Sequence, residues 1–119
     1  MSYVDGFVLI VSKKKLKAYK ALAVKASKVW MEHGAVGYHE CVGEDLKVNF
    51  GVPFPKLAKA KAGETVVFAY ITYRNRKHRD QVNKKVMTDP RLAEMCDPKN
   101  TPFDMKRLSM GGFESLVEA

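Results

Sequence analysis

Cysteine is scarce in this sequence: Cys41 and Cys96 are its two thiols, and neither has a second one near it. That spacing excludes a disulfide framework and reads as two reduced, structural cysteines. Long apolar runs are lacking as well. Phe7–Val11 is far too short to cross a bilayer, and neither a preceding basic segment nor a following small-residue cleavage site marks a secretory leader. No membrane association is expected, and the expected compartment is the cytoplasm. Acidic residues are outnumbered, 13 against 21 Lys and Arg, for a net charge of +8. That balance favours an anionic partner, although lysines on helix exteriors commonly serve solvation alone. His33, His39 and His78 are scattered, and although His39 and Cys41 share a strand face, no third ligand completes a zinc spacing. The glycine pairs match no phosphate-binding loop, so neither a metal nor a cofactor is expected. Without internal repeats or low-complexity segments, residues 1–119 read as one domain.

The residues that are present sort by period. Thr65–Tyr73 is β-branched and aromatic without Pro or Gly, which predicts a strand with Val66, Phe68, Tyr70 and Thr72 on one face and Val67, Ala69, Ile71 and Tyr73 on the other. Tyr3–Val11 predicts another, and both of its faces are apolar too, apart from Asp5. Ser12 stands ready to cap a helix over Lys13–His33, whose stripe of Leu16, Tyr19, Ala23, Ala26, Trp30 and His33 packs on a sheet, with Gly34 ending it. Ala35–Val42 predicts an edge strand, with Val36, Tyr38, Glu40 and Val42 on one face. Gly43–Gly63 is an excursion broken by Gly51, Pro53 and Pro55. A helix over Arg76–Thr88 buries Val82 and Val86, and Asp89-Pro90-Arg91 caps a further short turn. Met105–Met110 is expected to be the last strand, followed by a bend at Gly111–Glu114.

The order β-α-β-β-α-β predicts an α+β, ferredoxin-like subunit whose four-stranded antiparallel sheet has the first and third strands at its centre and both helices on one face. Those are the two strands with apolar residues on both sides. The helix-free face therefore needs a cover, and a two-fold-related second copy supplies one, so the expectation is a homodimer through that face.

Three constellations bear on function. Phe68-Ala69-Tyr70-Ile71-Thr72-Tyr73 resembles the tail of an RNA-recognition strand motif, which makes a basic RNA-binding module one reading. Val66-Val67 stands where that motif needs a basic residue and Gly, and a covered face leaves no aromatic free to stack on bases. Glu40, Cys41 and Arg107 reach one level of the sheet and are the candidate catalytic residues, for proton transfer on an anionic substrate; Glu40 and Arg107 as an edge salt bridge, with Cys41 in the core, is the plainer alternative. Asp5 is placed near Arg74 and the pair Gly111 and Gly112, as an ion pair. A structural or interaction protein without a ligand is the remaining reading.

A resemblance runs through nearly the whole chain. Tyr3-Val4-Asp5-Gly6-Phe7, Glu40-Cys41, Val66-Val67-Phe68, Arg79-Asp80 with Asn83, Met87 with Asp89-Pro90-Arg91, Pro102-Phe103-Asp104, Lys106-Arg107 and Gly111-Gly112-Phe113-Glu114 resemble the YbaA-like proteins, a family of unknown function. Val42, Tyr70, Arg74 and Met105 depart from its pattern. The resemblance implies a dimeric α/β-barrel and assigns no reaction, though some members carry a label linking them to signal recognition particle RNA. By analogy with that fold group, a small and perhaps anionic ligand is expected between sheet and helices, near Phe7, Tyr19, Phe68, Cys41 and Arg107.

Overall fold

Strands β1 (Tyr3–Ser12) and β3 (Glu64–Tyr73) pair antiparallel along their whole length, Tyr3 opposite Tyr73 and Ser12 opposite Glu64, in a computed structural model that describes residues 2–99 and 101–119. β2 (Gly37–Val42) adds to the free edge of β3 and β4 (Ser109–Glu114) to that of β1, giving the order β2-β3-β1-β4. The two strands with apolar residues on both sides are thus central, as their composition requires. Helices α1 (Leu16–Glu32) and α3 (Arg76–Met87) pack on one face. Val29 of α1 and Val82 and Val86 of α3 join Ile71 and Tyr73 in one buried cluster, while Tyr19 of α1 joins Leu9, Val11 and Val67 in a second. Each fully buried side chain of this size contributes about 1.5–3 kcal/mol. Among the described residues no helix is long and apolar enough to cross a membrane.

Local chemistry explains the element ends. Gly34 takes φ +108°, and Ala35 N–H reaches back to the Trp30 carbonyl at 3.0 Å, a left-handed helix stop that a side chain would strain. Lys13–Lys15 forms a tight 3-10 turn before α1, and Ser12 makes no side-chain cap. Three positive charges at a helix start oppose the macrodipole, and the Lys13 N–H instead donates to the Gly63 carbonyl at 2.9 Å. Asn75 caps α3 by accepting from the His78 N–H, and Asp89 caps the short α4 (Pro90–Met95) by accepting from the Arg91 N–H.

The last strand is a correction to the sequence reading. Met105–Arg107 is a 3-10 turn capped by Asp104, and the strand begins at Ser109, so Gly111 and Gly112 lie in β4 and not in a bend. Aromatic rings take the space that their missing side chains leave: Tyr3 lies where a Cβ on Gly112 would point, and Phe113 sits 3.2 Å from the corresponding position on Gly6. Inside the excursion Leu46, Val48 and Phe50 form no strand, Phe50 is 93% exposed, and α2 (Phe54–Leu57) is its one helical turn.

A buried polar network ties α3 to the sheet. Asp5, 3% exposed, accepts from Arg79 Nη1 at 3.1 Å and lies 3.5 Å from Asn83 Nδ2; its expected partner Arg74 takes no part. Arg79 also stacks over the Tyr3 ring at 4.9 Å, and its Nε lies 3.0 Å from Asp80 without hydrogen-bond alignment. Asn83 Oδ1 in turn accepts from Trp30 Nε1 at 3.2 Å and from the Tyr73 hydroxyl at 3.3 Å. Burial pushes the Asp5 carboxyl above its ordinary value, against the pull of Arg79 and Asn83.

Candidate functional site

Small residues at facing positions leave a hollow between sheet and helices. α1 presents Ala23 and Ala26, and β3 presents Ala69 opposite Phe7, where larger side chains would fill the layer. The result is a cavity of about 180 Å³, roofed by Leu92, Met95 and Cys96 of the α4 region and by Phe103, Met105 and Leu108. A hollow of about 150 Å³ with a similar lining holds a benzene-sized molecule.

Among the described residues, the one charged group in its lining is Glu40. β2 points Tyr38 and Glu40 to the helix side, and α1 brings Tyr19 across to meet them. The Tyr19 hydroxyl donates to Glu40 Oε1 at 2.6 Å, and the Tyr38 hydroxyl donates to Oε2 at 2.7 Å. Burial and the adjacent carboxylate push both phenols far above their usual range, so both remain donors. Each phenol that holds the carboxylate meets a second ring: Tyr19 meets Phe103 edge-on at 5.6 Å, and Tyr38 meets Trp30 at 6.3 Å. Tyr19, Ala23, Tyr38 and Glu40 also line an outer groove of about 500 Å³ along α1 and β2, which reaches Lys20 and Val42. Glu40 therefore stands between the groove and the inner cavity.

Of the residues expected here from sequence, Phe7, Tyr19 and Glu40 line the inner cavity, Cys41 lines the outer groove alone, and Phe68 and Arg107 line neither. Phe68 lines the groove on the helix-free face, while Cys41, its register partner on β2, lies next to Glu40 along the outer groove. Cys41 and Cys96 are both exposed free thiols, so Cys41 is not the core residue of the plainer alternative. Arg107 bonds Glu64 through Nη1 at 2.7 Å and Nη2 at 2.9 Å, and reaches the Lys59 carbonyl at 3.1 Å. The catalytic grouping of Glu40, Cys41 and Arg107 is thus not assembled, and no Glu40–Arg107 bridge forms: Glu40 and Cys41 line one groove, but a nearer acid captures Arg107. Tyr38, Trp30 and Phe103 belong to the site without having been singled out. The i, i+2 spacing of Tyr38 and Glu40 and the placing of Trp30 on the stripe of Tyr19, Ala23 and Ala26 were the available signals for two of them.

Arg107 has a structural duty instead. Its hydrogen bonds, with that of the Lys61 N–H, hold the Glu64 carboxyl down at about 2. A lowered acid contributes stability in full above its ordinary value of 4.5 and loses it as pH falls through about 2. Arg107→Gln is accordingly expected to lower stability at pH 7, with the difference from wild type shrinking as urea melts are taken down from pH 4.5.

The helix-free face carries a groove of about 640 Å³ lined by Val4, Gly6, Val8, Phe68, Tyr70, Gly111 and Phe113 among others. Phe68 is 45% exposed in the single chain; it packs beside Tyr70 at 5.8 Å and Phe54 at 6.3 Å, and Tyr70 stacks on His39 at 4.6 Å.

The pattern of a family described as "Protein of unknown function (DUF1428)" matches residues 2–105. The chain is 41% identical over 118 residues to the uncharacterized protein YbaA of Escherichia coli K12, covering 99% of both, and equally to that of Shigella flexneri. Among solved structures, an uncharacterized NIPSNAP domain protein from Burkholderia xenovorans superposes with a TM-score of 0.60 at 12% identity, over 100% of this chain and 98% of that one. That likeness shows a mixed α/β, ferredoxin-like fold.

Proposed function

This chain belongs to the DUF1428 family of YbaA-like proteins, whose function is unknown, so the reading has to come from its own geometry: we propose that it binds a small, largely apolar molecule in the cavity between sheet and helix α1, as a homodimer joined through the helix-free sheet face. The observation that carries the binding reading is the Glu40 carboxylate, held by two tyrosines in the wall of an otherwise apolar hollow. A polar group fixed at one point of an apolar cavity orients a ligand, and is a costly arrangement for a site that only packs. The anionic ligand anticipated from overall charge finds no support in this lining, since the charge it would meet is negative.

The dimer reading rests on the shape and chemistry of the open face. Phe68, Tyr70 and Phe113 line its groove, with Phe113 filling the space beside Gly6, and among the described residues that lining includes no Lys or Arg. A broad apolar and aromatic face can pack against its own copy under a two-fold axis. The same lining argues against RNA, which needs cations beside its stacking platform to track phosphates.

Filling the hollow tests the binding reading. Toluene is expected to give saturation-transfer NMR signals with the wild type and none with Ala26→Leu. The variant is expected to melt higher, gaining about 0.5–2 kcal/mol, as cavity-filling changes commonly do. Toluene that binds neither protein, or binds both alike, overturns the reading and leaves a structural protein without a ligand.

A further inference from the structure

We propose that the ligand of this cavity is an organic ammonium ion, a protonated amine on a short apolar or aromatic body, with Glu40 as its counter-ion. The inference rests on the binding reading above and names the ligand class for the same site.

The two hydrogen bonds to Glu40 come from neutral donors, one to each oxygen. They orient the carboxylate without cancelling its charge, and each oxygen keeps a lone pair to offer. Among the described residues lining the inner cavity none is Lys, Arg or His, and Lys20 lines the outer groove alone. Tyr19, Tyr38, Trp30 and Phe103 share that lining with the charge, and the faces of such rings attract cations. A carboxylate anchored between aromatic walls is a complete set of parts for an ammonium group: one charged acceptor, and π-faces for the substituents around the nitrogen.

The competing ligand chemistries fare worse. An anion meets Glu40 at close range with no cation to offset the repulsion. A neutral hydroxyl can donate to Glu40, but it leaves the carboxylate's charge uncompensated in an apolar lining, whereas an ammonium both donates and neutralises it. The net charge of +8 opposes a cation at long range, yet salt screens such fields beyond about 10 Å at 0.1 M. Contact with Glu40 therefore decides the preference.

Trp30, the one tryptophan of the chain, lines the cavity and reports on its occupancy. The intact protein is titrated at pH 7 with benzylamine, benzyl alcohol and benzoate, which share one body and differ in charge. Benzylammonium is expected to bind about tenfold more tightly than benzyl alcohol, a gap of about 1.4 kcal/mol, with benzoate weakest. Glu40→Gln keeps an acceptor for one tyrosine, offers an amide N–H to the hydroxyl oxygen of the other, and removes the charge, so it is expected to bring the amine to within about threefold of the alcohol. An alcohol that binds as well as the amine, or an amine that loses nothing in Glu40→Gln, overturns the ammonium assignment and leaves the cavity reading standing. If none of the three perturbs Trp30 and toluene gives no transfer either, the cavity reading itself fails. Should Glu40→Gln not fold, the order of the three ligands on the wild type still decides.

Discussion

Phe68→Glu is expected to run as a monomer in light scattering at concentrations where the wild type runs as a dimer. Phe68 lines the groove of the helix-free face, and the proposed two-fold interface would bury it twice. An unpaired carboxylate in an apolar contact costs several kcal/mol, so the dissociation constant is expected to rise by at least about a thousandfold, or about 4 kcal/mol. The fold is expected to survive, because the side chain is 45% exposed in the single chain and its removal opens no core cavity. Unchanged far-UV circular dichroism with halved mass is the expected pair of results. A wild type that remains monomeric at millimolar concentration contradicts the dimer, whatever the variant does.

Arg79→Leu is expected to cost about 3 kcal/mol at pH 7, because it leaves the Asp5 carboxylate buried without its cation. The pH dependence has a definite sign. Burial already holds the Asp5 carboxyl above its ordinary value of 3.8, and Arg79 is the main influence pulling it down. A raised acid is most favourable to the fold below its unfolded value, and that contribution is lost as pH rises through the folded value. Without Arg79 the folded value rises further, so the deficit of the variant is expected to narrow between pH 7 and pH 4 in urea melts. A deficit that stays constant over that range would locate the loss in the packing of the Arg79 stem on Tyr3 instead. The same substitution is expected to reach the ligand site, since Asn83 bridges Asp5 to the Trp30 indole.

The sheet was legible because its two central strands carry apolar residues on both faces, a pattern that leaves them few other places to go. The helices were legible from their stripes and from Gly34 and the Asp89-Pro90 cap. The start of the last strand was not, because Gly111-Gly112 reads locally as a bend. What makes it strand is Tyr3 and Phe113 filling the space beside the glycines, a long-range contact for Tyr3 with no signal in the pair itself. The site was half legible. Tyr19, Phe7 and Glu40 lie on faces that the helix and strand periods identify, so their meeting follows from topology. Cys41 reaches only the outer groove because one step along a strand takes it off the inner face, and Phe68 fails because its own strand face had already assigned it to the opposite surface. Arg107 fails for a different reason: several acids lay within reach of a long flexible side chain, and spacing does not say that Glu64 is nearest.

The sheet narrows toward its edges, with ten residues in each of β1 and β3 and six in each of β2 and β4. Beyond β4 the Ser115 amide is already spent on the Ser2 carbonyl at 2.9 Å. Short outer strands offer little template for adding another chain sideways, which is the route by which sheets grow into ribbons and fibres. In the proposed dimer, self-association is thereby directed onto the broad face, where one copy would use up the surface that a third would need, and growth would halt at two.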